Sequence, residues 1–165
     1  MTPKESISTK ERLVNSYKNA IRWVVDGFFE RLIPEIDLEK TLVIYTSDHG
    51  QNLLDDGKLV THCRRISPTL NEAISPLFIM TKKAELLQEF RIAAHSNFNK
   101  TSHFQIFPTV LTLFGYDEKR ISEIYYQSLF EPVKEPLGFT SGIITGLFGR
   151  LPTWNPRDGI EAFKN

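Results

Sequence analysis

Asp48, His49 and Gly50 are the residues of this chain whose types and spacing most directly suggest chemistry. They close an apolar run, Thr41-Leu42-Val43-Ile44-Tyr45-Thr46-Ser47, so a carboxylate and an imidazole are delivered together where the chain leaves a strand. Oxygen beside imidazole nitrogen suits a divalent cation, zinc or manganese first, with calcium or magnesium as the alternatives. Gly50 permits a tight turn that would bring two adjacent side chains onto one ion. The plainer alternative is a helix-capping aspartate next to a partly exposed histidine.

In the run that supports these ligands, Leu42 to Tyr45 lack the alternation of a half-wetted strand, which predicts burial on both faces of a mainly parallel sheet. Such sheets bind ligands at the carboxyl ends of their strands. Ser8-Thr9-Lys10-Glu11 has the form of a capping box and predicts a helix start. Val14, Tyr17, Ile21, Val24, Phe28 and Leu32 then recur at helical steps, widened by Val25 and Phe29, until Pro34. That helix is about 24 residues, roughly 36 Å long, and is expected to lie along the sheet. A loop follows Gly50, with Asp55 and Asp56 as turn formers. Ile74 to Met80, with Pro76 near its start, reads as the neighbouring strand, and Ala84 to Ala94 as a short amphipathic helix. Thr101 to Gly115 predicts a capped, largely buried helix whose entry is set by Ser102 and Gln105, with His103 assigned to that entry. Glu118 to Phe130 is a further helix, and Gly138 to Gly149 fits a small hairpin. The expected fold class is α/β, with residues 1–130 as one catalytic-type unit and residues 131–165 as a Pro/Gly-rich terminal segment.

The totals exclude several functions. Twenty basic and twenty acidic residues cancel without forming blocks, which disfavours nucleic acid or an anionic membrane surface as partner. Cys63 is the single cysteine, so no internal disulfide forms. The start has no apolar leader, and no run reaches the ~18 residues of a spanning helix.

The succession Asn15 to Asp26, Thr41 to Gly50, Ser75 to Ile79 and Ser102 to Leu111 resembles the carboxyl-terminal half of sulfatase-like enzymes of the alkaline phosphatase superfamily. It is most similar in flavour to their membrane-anchored phosphoethanolamine and phosphoglycerol transferase branch, and the resemblance spans about residues 12 to 116. It implies a partial alkaline-phosphatase-like sheet with flanking helices, and places Asp48 and His49 on the metal. A histidine of the following loop contacts the transferred phosphate or sulfate in such enzymes, which makes His62 the substrate-contacting candidate against the alternative of a solvent-facing loop histidine; Lys58 is a weaker anion-binding candidate. Gln51 and Gln105 stand where many relatives carry an acid.

The resemblance also implies what is absent. The nucleophile, a Thr, Ser or modified Cys, and further acidic ligands belong to an amino-terminal half. No catalytic nucleophile is therefore assigned here, and two protein ligands fall short of the three of an ordinary catalytic zinc site. The expected function is the metal-binding half of an enzyme that hydrolyses or transfers phosphate- or sulfate-ester groups, inactive alone. Its expected partners are the amino-terminal half or a partner chain and an ester substrate that can be lipid-linked. Its expected place is the extracytoplasmic side of a membrane. The alternative is a non-catalytic remnant or interaction module that pairs through its sheet edge. An uncovered apolar face predicts self-association of the isolated chain.

Overall fold

The computed structural model describes residues 3–58, 60–62, 64 and 68–133. The chain opens on helix α1 (Pro3–Ile21), passes through one π turn (Arg22–Asp26) and continues as α2 (Gly27–Glu35). The helix thus starts ahead of the Ser8 box, and Pro34 sits inside its last turn, where few following N–H groups need its geometry. A π turn inserts one residue and rotates everything beyond it by about 100° relative to the preceding face. Phe29, which only flanked the expected stripe, then reaches the sheet: its ring meets Tyr45 edge-on at 5.2 Å, and Tyr45 stacks on Phe78 at 5.8 Å.

Strand β1 (Val43–Thr46) is followed by the two-residue strands β2 (Asn52–Leu53) and β3 (Val60–Thr61), helix α3 (Leu70–Ala73) and strand β4 (Leu77–Met80). β1 and β4 are neighbours as expected, in the register Val43 with Met80 to Thr46 with Leu77. They run antiparallel, which corrects the parallel sheet read from the apolar run. Among the described residues the connection between them contains the β2–β3 ribbon and the single turn of α3, and no long crossover helix to return the chain to a parallel start. The β1 residues are half-exposed rather than buried on both faces. An unbroken apolar run carries no information about strand direction, and here it reflects α2 packed on one side and a thinly covered second side.

Helix α4 (Ala84–Ser96) leads through a 3₁₀ turn (His103–Gln105) to α5 (Ile106–Leu113) and α6 (Glu118–Ile124). α6 stops short of Phe130 because Tyr125 leaves helical geometry. The predicted capping box at Ser102 and Gln105 is formed in full. The buried core lies here and not under α1: Phe90, Ala93, Ile121, Leu129 and Val133 are buried, and no residue from 9 to 51 is. Phe90 and Phe130 have ring centroids 4.8 Å apart. Polar groups pin this core. Asn97 Nδ2 donates to Leu129 O and Glu131 O at 2.9 Å each, and Asn97 Oδ1 accepts from Val133 N at 2.8 Å. Thr109 Oγ1 accepts from Leu129 N at 2.8 Å.

α5 was expected to be buried, and only Pro108 and Thr109 of it are. Phe104, Phe107 and Phe114 are 70%, 51% and 77% exposed, which leaves an uncovered aromatic face on this side. The expected hairpin at 138–149 and most of the terminal segment lie outside the described residues.

Candidate metal centre

The corner after β1 is held by its own short-range hydrogen bonds. Thr46 Oγ1 donates to Ser47 O at 3.1 Å, and Ser47 Oγ donates to His49 O at 3.0 Å. Asp48 Oδ1 accepts from His49 N at 3.0 Å, which fixes the carboxylate over the following peptide. Gly50 closes the corner for a reason other than the turn freedom read from sequence. A Cβ at Gly50 would lie 2.0 Å from Asn71 O and 2.5 Å from Ile74 O, so the backbone of α3 and its carboxyl-terminal cap occupies the space any side chain would need. Gly50 N donates to Glu72 O at 3.0 Å across the same contact.

The imidazole of His49 carries the main chemical information. Its Nδ1 lies 2.7 Å from Gly50 O, and a carbonyl oxygen only accepts, so Nδ1 holds the proton. In the neutral ring Nε2 is then a bare lone pair. It faces a second acceptor, Asp48 Oδ2, at 3.6 Å, too long for a hydrogen bond between them. Two acceptors this close at an exposed corner can both be served by water, and they can equally be bridged by a metal ion. Two ligands of one tetrahedral zinc, each ~2.1 Å from it, stand roughly 3.4 Å apart, so the donor set and spacing fit a shared ion. The Nδ1–H bond to a carbonyl is the usual orienting partner of a ligating histidine. Asp48 is 87% exposed and His49 40% exposed, so an ion can enter without local unfolding.

His62 joins the corner from the following loop. Its ring stacks on that of His49, centroids 4.1 Å apart and planes within 10°. The loop that carries it is tied at several points. Leu54 takes the left-handed φ of 61°, and Asn52 Oδ1 accepts from Asp55 N at 2.9 Å within that turn. Asp55 and Asp56 are turn residues, as expected, and also ion-pair partners of Lys10 and Arg64. The Arg64 hydrogen bond holds the Asp56 carboxyl far below its ordinary range and raises the guanidinium. Burial pushes the Glu72 carboxyl up, but bonds from Thr69 N, Arg64 N and Thr69 Oγ1 outweigh it and leave the group lowered. Asp55 is likewise lowered, its desolvation overcome by hydrogen bonds from Asn71, Leu53 and Lys10. Beside the corner a groove of about 230 Å³ is lined by Tyr17, His49, Gln51, Asn71, Ile74 and Pro76, among others.

Of the residues singled out from sequence, the structure gathers Asp48, His49 and His62. Lys58 is exposed, and among the described residues no hydrogen bond or ion pair ties its ammonium to those three. Gln105 is fully buried in the cap, where Ser102 N donates to its Oε1. Among the described residues no cluster of three or more His, Cys, Asp or Glu stands ready for a metal ion. Sequence reasoning missed the position of His103, whose Nε2 lies 2.8 Å from Ser47 O. The local spacing of Ser102 to Gln105 explained a cap and gave no sign of a contact 56 residues away.

Comparison with known proteins gives the chain its family. The family model described as Sulfatase matches residues 2–116. The chain is similar to the Kdo(2)-lipid A phosphoethanolamine 7''-transferases of Escherichia coli (strain K12) and Salmonella typhimurium (strain LT2), 24% identical to each over 119 residues. Those matches cover 68% of this chain and 21% of each relative, so the chain spans about a fifth of the length of the curated relatives it matches. No solved structure matches it significantly.

Proposed function

The chain belongs to the sulfatase family, and from that premise we propose that Asp48 and His49 hold a divalent cation, zinc or manganese, in a site that acts on phosphate or sulfate esters. The observation that carries this reading is the pair of facing acceptors, His49 Nε2 and Asp48 Oδ2 at 3.6 Å, with the His49 proton already committed to Gly50 O. When bound, the ion supplies Lewis-acid stabilisation of charge on the transferred group and lowers the pKa of the attacking nucleophile. Asp48 contributes the anionic ligand and His49 the neutral one. His62, whose ring stacks on that of His49, serves as a hydrogen-bond donor to a substrate oxygen. Lys58 adds positive charge to the approach, as a weaker candidate. The relatives' names favour transfer of a phosphoethanolamine group to a lipid acceptor over sulfate hydrolysis, and an extracytoplasmic, membrane-attached setting is part of the proposal. Among the described residues no helix is long and apolar enough to cross a membrane.

Two ligands do not complete a catalytic site, so the nucleophile and the remaining ligands come from an amino-terminal half or a partner chain. The exposed rings of Phe104, Phe107 and Phe114 give a non-catalytic interaction module its support as a second reading. The two readings separate in an assay of the assembled enzyme on aryl phosphate, phosphodiester and sulfate substrates with metal analysis. Asp48→Ala or His49→Ala abolishes turnover together with metal occupancy, whereas His62→Ala lowers turnover by about a hundredfold with the metal retained. Full activity and metal in Asp48→Ala would contradict the assignment, and metal loss in His62→Ala would make His62 a ligand.

A further inference from the structure

We infer that His103 is a positioning residue for the metal corner. This rests on the metal reading above, and it adds a part of the chain that neither the sequence motif nor the ligand pair contains. The His103 ring reaches back from the 3₁₀ turn ahead of α5 to the end of β1, with Nε2 2.8 Å from Ser47 O and 3.1 Å from Thr46 Oγ1. Ser47 O only accepts, so Nε2 carries the proton and His103 donates. Thr46 Oγ1 donates to that same carbonyl, so its two lone pairs are engaged by two donors. Ser47 immediately precedes Asp48, and its carbonyl belongs to the peptide that sets the direction of the Asp48 side chain. The bond from His103 thereby fixes the peptide plane on which the metal-facing carboxylate is mounted.

The capping function does not account for the imidazole. Ser102 Oγ accepts from Phe104 N and Gln105 Oε1 accepts from Ser102 N, so the box closes through Ser102 and Gln105 alone. His103 is exposed, so truncating it opens no cavity and strands no buried donor. Its removal therefore acts on the orientation of the corner with little effect on the fold, which makes the two roles separable by measurement.

The test uses the whole chain, zinc chloride as the probe, and the variants His103→Leu and His103→Gln; the glutamine retains an N–H donor at comparable reach. Zinc affinity is read by competition with a chromophoric chelator, and metal-free amide exchange at Asp48 and His49 by NMR. Loss of an outer hydrogen bond of this kind weakens metal binding by 10- to 100-fold in known sites, and a bond acting through the neighbouring peptide belongs near the lower end, about tenfold. His103→Leu is expected to show that loss and faster exchange at Asp48 and His49, with an unchanged melting temperature, and His103→Gln to restore both to within about twofold. Zinc binding by His103→Leu equal to that of the wild type overturns this inference and leaves the metal reading standing. Equal weakening in both variants, or weakening accompanied by a general loss of stability, assigns His103 a structural role and also overturns it. A wild-type chain that binds no zinc at Asp48 and His49 overturns the metal reading and this inference with it.

Discussion

Two polar clusters in this molecule follow opposite rules. Around Asn97, Gln105 and Thr109 the side chains are at most 2% exposed, and the donors and acceptors interlock: Gln105 Nε2 donates to Ser128 O, Thr109 Oγ1 to Gln105 O, Asn97 Nδ2 to Leu129 O and Glu131 O. Around Asp48 and His49 the groups are open to solvent, and the two functional atoms are both acceptors turned toward each other. A buried polar group without a partner costs about 1–3 kcal/mol, so the first cluster is complete by necessity. The second escapes that cost through exposure, and its incompleteness is what a ligand can use. The first cluster specifies the fold of the carboxyl-terminal part, and the second is the one proposed to bind.

The largest expected effect comes from closing the space that joins the corner to α3. Gly50→Ala places a Cβ 2.0 Å from the Asn71 carbonyl, and the backbone of one segment must move. A destabilisation of about 3 kcal/mol or more is expected, with loss of the His49–His62 ring contact, measured by denaturant unfolding and by the ring-proton shifts. Asn97→Ala attacks the other cluster. It strands Leu129 O, Glu131 O and Val133 N and should cost about 2–4 kcal/mol while leaving zinc affinity at Asp48 and His49 unchanged. Equal damage to both properties would show that the clusters are one unit.

Acid sharpens the same contrast. Glu72 has its folded pKa below the ordinary 4.5, so its contribution to the loop is complete above that value and is lost as pH falls through the lowered one. Protection of the Arg64 and Thr69 amides, both of which donate to the Glu72 carboxylate, should therefore persist at pH 5 and decline in the acid range below the ordinary value. The Leu129 and Val133 amides of the Asn97 cluster, which donate to the neutral oxygens Thr109 Oγ1 and Asn97 Oδ1, should hold to lower pH. Glu72→Gln should remove the acid transition. The smallest effect belongs to Lys58→Ala, for which stability should change by less than about 0.5 kcal/mol, because its side chain is exposed and its backbone N–H, which the substitution keeps, makes its bond to Asp56.

Much of the positioning framework was legible in the sequence because it rests on local signals. The apolar run ending at Asp48, the strand from Leu77 to Met80 and the box from Ser102 to Gln105 each declare themselves within a few residues, and each is present. The family was legible from the joint order of its segments. What escaped depends on contacts distant in sequence. Strand direction is set by the connection between Ser47 and Pro76, which the apolar content of β1 does not encode. The π turn at Arg22–Asp26 leaves the spacing of apolar residues nearly unchanged while turning Phe29 toward Tyr45. α5 reads as buried from its apolar residues, yet Phe107 and Phe114 lie open because no described segment covers them. Gly50 was correctly singled out for the wrong reason, since the Asn71 carbonyl that excludes a side chain there lies 21 positions on and is invisible to a local reading. His103 had its local explanation in the cap, and its bond to Ser47 could be found only in the fold.

The central claim is that His49 Nε2 and Asp48 Oδ2 are the two facing ligands of one cation. The most direct measurement is a zinc titration of the metal-free chain near neutral pH, followed by nitrogen-15 shifts of the imidazole rings, with Asp48→Ala as the companion. The account predicts a zinc-dependent shift of His49 Nε2, with Nδ1 remaining protonated on Gly50 O, and loss of that response in Asp48→Ala. A zinc response at Nδ1, or one that survives unchanged in Asp48→Ala, would contradict it.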